Sequence, residues 1–254
     1  MSSLRLPNFF INKGYLLDIP NYSISSADLH SARSALLFDV NAFFINGLVS
    51  FASAINSINK NNYSWGFIQS YYSLFFFARA FNGINDYAIV YHNSKPFSIK
   101  IQPSAKFVKL KGNSHDVVLS EFKTQFASDI LIVNQIEGEN PVDWFNKKRN
   151  LINYTSNPFS DPMPPPDLYN YKSDLRKWMA TYMNDRSHSY TFNPANCYIA
   201  YPLQVFMRLY NYYDDNNLKL SMIDEDKFLH LQKNLADDKG TLNIVMSRIK
   251  DILD

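Results

Sequence analysis

Apolar residues recur at helical spacing through most of the chain, and most densely between Tyr63 and Phe81. There Phe67, Tyr71, Leu74, Ala78 and Phe81 follow one another at steps of four, three, four and three, one stripe along a helix. Trp65, Ile68, Tyr72, Phe76 and Arg79 form a second stripe beside it. A helix apolar over so much of its circumference belongs at the centre of an assembly. Gly66, Ser70 and Ser73 add a line of small residues, along which a neighbouring helix can approach closely and share hydrogen bonds with the two hydroxyls. The stretch is expected to be the central helix of a bundle.

Upstream, Leu29, Leu36, Phe43, Phe44, Leu48, Phe51 and Ile55 predict a long first helix from Leu29 to Ile58, capped by Ser26 and broken near Gly47. The polar connector Asn59 to Asn62 is short, so the central helix should return antiparallel to it. Residues 1 to 26, with Pro7, Gly14 and Pro20 as breakers, should wrap the surface of the core.

After Asn82-Gly83, read as a helix stop, the period changes. Tyr87 to Tyr91 and Phe97 to Gln102 are strand-like, with Phe97, Ile99 and Ile101 alternating with Ser98, Lys100 and Gln102. Asn93-Ser94-Lys95-Pro96 reads as the turn between them, and Lys106 to Leu110 as a third short strand. A helix from about Asp116 to Phe126 should follow, capped by Asn113 or Ser114. The apolar run Ile130 to Ile136 fits helix and strand alike. Asn140-Pro141-Val142-Asp143 combines an N-cap, a proline at the first helical position and an acid in the first turn. It opens a helix that runs to Tyr154 and ends at Asn157-Pro158.

The proline run from Asp161 to Asp167 is semi-rigid and reads as a boundary. It divides residues 1–160, a bundle with a β insertion around 87–110, from a C-terminal helical extension over 161–254. In that extension one helix is marked by Leu168, Tyr171, Leu175, Trp178 and Tyr182, and a second spans Tyr198 to Tyr213, starting near Pro202 or kinked there. Phe228 to Leu235 marks a third, and Leu242, Val245, Ile249 and Leu253 a fourth. The expected fold class is mostly α: an antiparallel helical bundle with a small inserted antiparallel β-sheet and additional C-terminal helices.

Composition supports this. Of 254 residues 46% are hydrophobic and 16% aromatic, while glycine numbers only 7, which favours long helices packed by large side chains. Lys and Arg number 25 against 23 Asp and Glu, so any contact with nucleic acid must be local. The single cysteine, Cys197, allows no internal disulfide and fits a reducing cytoplasm. The five histidines lack the spacing of a helical metal site, and no phosphate-cradling glycine loop is present, so no metal or cofactor is expected. The N-terminus lacks the pattern of a signal peptide, and the most apolar region, Ala35 to Ile55, is interrupted by Asp39, Asn41 and Asn46. A cytoplasmic protein without a membrane partner is expected.

The candidate chemistry lies in Lys147-Lys148-Arg149-Asn150-Leu151-Ile152-Asn153-Tyr154. Arg149 can hold a phosphate bidentately, Asn150 can orient it, and Tyr154 can bond the same oxygen. On an ideal helix Arg149 and Tyr154 lie about 140° apart, so they converge only if the last turn unwinds. Lys147, Lys148 and Arg149 make the best local basic patch for nucleic acid. The plain alternatives are Arg149 pairing with Asp143 or capping carbonyls, Tyr154 as a core aromatic, and the lysines as a solvated face.

The run Ser70-Tyr-Tyr-Ser-Leu-Phe-Phe-Phe-Ala-Arg-Ala80, followed downstream by Arg149-Asn150 and then Tyr154, resembles the HEPN superfamily of small helical bundles, over roughly Leu29 to Pro158. The resemblance implies an up-and-down bundle that commonly dimerises, and either a metal-independent endoribonuclease or a subunit that binds nucleotides or partner proteins. Where the family's ribonucleases place His, this chain has Tyr154, and a phenol is a poorer base than imidazole at neutral pH. His115 is the substitute base to consider. The expected function is therefore a degenerate subunit binding partner proteins, and RNA or a nucleotide, in a prokaryotic multi-subunit system such as antiphage or antiplasmid defence. The alternative is an active endoribonuclease dimer in which Arg149 stabilises the scissile phosphate.

Overall fold

The computed structural model describes residues 4–16, 19, 22–155, 161–163, 175–220, 225–235 and 240–253. Among them the protein is mostly helical, with one small antiparallel sheet. The order is α1 (Arg5–Asn12), α2 (Leu29–Asn59), α3 (Tyr63–Ile84), β1 (Tyr87–His92), β2 (Lys95–Lys100), β3 (Val108–Lys109), α4 (Ser114–Gln125), α5 (Ile130–Val133) and α6 (Pro141–Asn150). A π-helical turn, Leu151–Thr155, extends α6, and α7 (Leu175–Met183), α8 (Cys197–Asp215), α9 (Glu225–Leu235) and α10 (Asn243–Asp251) follow. The chain forms two compact units, each built from separate segments: Met1–Phe44 with Ala78–Gln125, and Ile45–Phe77 with Phe126–Asp254. Helices α2 and α3 therefore contribute to both.

In the first unit the strands pair in the order β1-β2-β3, with Tyr87 opposite Lys100 and Phe97 opposite Lys109. Asn93 and Ser94 both have positive φ, the backbone a two-residue hairpin requires. Ile99 and Ile101 are buried as the alternation predicts, and Ser98 is buried too. Asn113 caps α4 by accepting from the amides of His115 (3.0 Å) and Asp116 (3.1 Å). The buried carboxylate of Asp39 on α2 accepts from the amides of Arg5 (2.7 Å) and Leu6 (3.0 Å), so the first turn of α1 is capped from another helix. Burial pushes the Asp39 carboxyl above its usual range, against the pull of those two amides.

Three local expectations are corrected here. Ser26 is not the cap of α2: residues 26–28 form a turn, Asp28 precedes the first helical residue, and Ser25 bonds the Asp28 side chain and amide. Gly83 does not stop α3, which runs on to Ile84; a Cβ there would lie 2.3 Å from Val40 Cγ2, so glycine serves the approach of α2. The same holds at Gly47, where α2 is unbroken and an added Cβ would lie 2.4 Å from the Phe77 ring.

The second unit is organised by the inner face of α3. Phe67 and Tyr71 are buried, and Phe67 meets Trp144 and Phe145 of α6 and Tyr198 of α8, the last at 4.6 Å between ring centroids. Helices from both sides of the proline-rich segment thus share one core. The second stripe is more open, with Trp65 52% exposed. Of the proline-rich segment, Asp161 accepts from the amides of Tyr63 (2.8 Å) and Ser64 (3.2 Å) and so caps α3. Residues 164–167, together with Leu168, Tyr171 and Asn157-Pro158, lie outside the described residues.

Pro202 sits inside α8, which begins earlier, at Cys197. Proline has no N–H to give the carbonyl four residues back, that of Tyr198. The hydroxyl of Ser70 on α3 donates to that carbonyl instead. The small-residue line of α3 thus supplies the hydrogen bond that the proline withholds.

Helix α2 is long and apolar enough to cross a bilayer, yet 56% of its most apolar window is buried within the protein. Its apolar residues serve as core, including Phe44, Leu48, Phe51 and Ile55 at 1% exposure or less.

Candidate functional site

The site is built on the end of α6, in the second unit. Asn140 accepts from the Val142 amide (3.0 Å) and donates to the Ile132 carbonyl (2.9 Å), which ties the start of α6 to α5. Trp144 and Phe145 bury the inner face of α6, and Lys147, Asn150 and Leu151 are left on its exposed side.

Past Asn150 the helix changes hand-hold rather than stopping. The π turn over Leu151–Thr155 bonds residues five apart, which brings position 154 back toward position 149. The unwinding required by the helical angle is met in this way, and the Arg149 guanidinium lies 5.9 Å from the centroid of the Tyr154 ring. It also lies 5.3 Å from the centroid of Tyr71, a fully buried ring on α3. Its Nη1 donates to Asn150 Oδ1 at 2.6 Å, and its Nε is buried without a partner. Tyr154 itself is 76% exposed, so it is not a core aromatic. Arg149, Asn150 and Tyr154 are therefore brought together, with Tyr71 added as a floor.

The two lysines of the basic patch each face a glutamate. Lys147 pairs with Glu139, while Lys148 Nζ lies 3.8 Å from Glu137 Oε2 and 5.0 Å from the Trp144 ring centroid. Glu137 also accepts from Trp144 Nε1 at 2.7 Å. Both acids come from the tight turn Ile136 to Glu139, in which Glu137 and Gly138 take positive φ. The pattern Glu-Gly-Glu just before the N-cap was the signal available in the sequence for this lid of acids. Along this face Glu137, Glu139 and Asp143 line an open groove together with Lys147, Lys148 and Asn150.

The chain matches no protein-family model, no curated protein and no solved structure.

His115 stands at the start of α4 in the first unit, whereas Arg149 belongs to the second. His188 lies in the loop after α7, where the carboxylate of Asp185 accepts from the amides of Ser189, Tyr190 and Thr191 and from the Thr191 hydroxyl. Burial works to raise the Asp185 carboxyl, but these donors outweigh it and hold the group below its usual range. Among the described residues no group of three or more His, Cys, Asp or Glu is placed to hold a metal ion. The cluster around residue 149 thus brings together one guanidinium, one amide side chain and two phenols.

Proposed function

We propose that this protein is a non-catalytic, HEPN-like helical subunit that works by binding partner proteins within a prokaryotic multi-subunit system such as antiphage or antiplasmid defence. The superfamily and the biological setting rest on the resemblance of the Ser70–Ala80 and Arg149–Tyr154 segments. The observation that carries the binding role is the pairing of both site lysines with Glu137 and Glu139. A polyanion gains affinity by displacing counterions from cations, and lysines already neutralised by glutamates have little to offer it. Arg149, held between the Tyr71 and Tyr154 rings, can still take a single anionic group, and the exposed Tyr154 and Leu151 beside it suit a protein surface. RNA or nucleotide contact is then secondary and confined to Arg149.

Incubation of the purified protein with total RNA in EDTA, beside Arg149→Ala, tests this reading. Both proteins should leave the RNA intact. Cleavage by the wild type that Arg149→Ala abolishes would overturn the proposal in favour of an endoribonuclease. Co-expression with the neighbouring genes should yield a stable complex, weakened by Tyr154→Glu while the subunit stays folded.

A further inference from the structure

In the first unit, well away in sequence from residue 149, a chamber lies between α1, α2, α3 and β1. Its polar lining includes Asp39, Arg79, Asn82 and the phenol of Tyr87, beside the apolar Leu6, Leu36 and Phe43. Asn82 is 1% exposed; its Nδ2 donates to the Val118 carbonyl (3.3 Å), but its Oδ1 is buried without a partner. The Arg79 guanidinium lies 4.0 Å from the Phe43 ring centroid, and among the described residues it has no hydrogen-bond acceptor and no carboxylate within ion-pair distance. Asp39 is 3% exposed, and its two oxygens accept one amide each, which leaves each with room for another donor.

The buried, unpartnered Asn82 Oδ1 calls for a donor. An occupant must accept from Arg79 and donate to Asn82 Oδ1 and Asp39. The walls already carry one positive and one negative charge, so an added ion would leave a buried net charge, which is costly. The chamber offers about 20 Å³ to a water molecule, against the ~10–15 Å³ that one ordered water needs. We propose that this chamber is a binding site for a single ordered, neutral water that accepts from Arg79 and donates to Asn82 and Asp39. Three bonds is the usual complement of a buried water. The water then links the cation of α3 to the carboxylate that caps α1, in place of a direct ion pair.

Crystals of the full chain grown with sodium bromide test this. The expected result is one water about 2.7–3.2 Å from an Arg79 nitrogen, from Asn82 Oδ1 and from an Asp39 oxygen, with no anomalous bromide peak in the chamber. A bromide peak, a dry chamber, or Arg79 paired directly with Asp39 would each overturn the proposal. In solution, a long-lived water should show a rotating-frame Overhauser contact to the Asn82 side-chain amide, lost in Arg79→Met. Persistence of that contact in a folded Arg79→Met protein would remove Arg79 from the site, and if the variant does not fold the wild-type crystal decides.

Discussion

The hydrogen bond from Ser70 to the Tyr198 carbonyl gives the sharpest test of how the second unit is held together. Ser70 is 1% exposed and Tyr198 4%, so Ser70→Ala takes from a buried carbonyl the hydroxyl that donates to it. That loss should cost about 1–3 kcal/mol. Pro202→Ala restores an N–H aimed at the same carbonyl, because residue 202 is four positions beyond 198 in an unbroken helix. In the Pro202→Ala background the serine becomes redundant, and its removal should cost ~0.5 kcal/mol, the low end for a satisfied pair. The coupling is then on the order of 1–2 kcal/mol, a factor of about 5–30 in the folding equilibrium. Urea unfolding of the four proteins, followed by circular dichroism and compared at constant m-value, measures it. Equal costs for Ser70→Ala in both backgrounds would refute the reasoning, because the hydroxyl would then not be serving the carbonyl that proline leaves open.

Gly47→Ala places a Cβ 2.4 Å from the ring of Phe77, which is fully buried, so unfolding midpoints should show a loss of about 1–3 kcal/mol despite the better helix propensity of alanine. Combining it with Phe77→Leu should cost less than the sum of the two, and a stabilising Gly47→Ala would contradict the close approach of the helices. Asp28 is held down to about 2 from the usual 3.8, first by the hydrogen bond from the Lys13 ammonium and then by the hydroxyls of Tyr15 and Ser25. A carboxyl depressed in the folded state stabilises it above the unfolded value and loses that contribution as pH falls through the folded one. The stability gap between wild type and Asp28→Asn should therefore be full at neutral pH and shrink between about pH 4 and pH 2 in urea titrations.

Along the chain, periodicity carried the element types. The stripe through Phe67, Tyr71 and Leu74 identified an inner helix, the alternation at Ile99 and Ile101 identified a strand, and Asn140-Pro141 marked the start of α6, because each of these signals is local. Glycine was misread twice for the same reason: at positions 47 and 83 its absent side chain makes room for a ring or a methyl from another helix, which no neighbouring residue in the sequence reveals. The candidate site divides along the same line. Arg149, Asn150 and Tyr154 could be named from their residue types, and the need for an unwound turn followed from the helical angle alone. That the turn is π-helical, that Tyr71 lies beneath the guanidinium, and that Glu137 and Glu139 neutralise the lysines were decided only by tertiary structure. Charges and carbonyls find partners by proximity in space, and proximity between α3, α6 and α8 is set by how their large side chains fill a common core, not by their order along the chain.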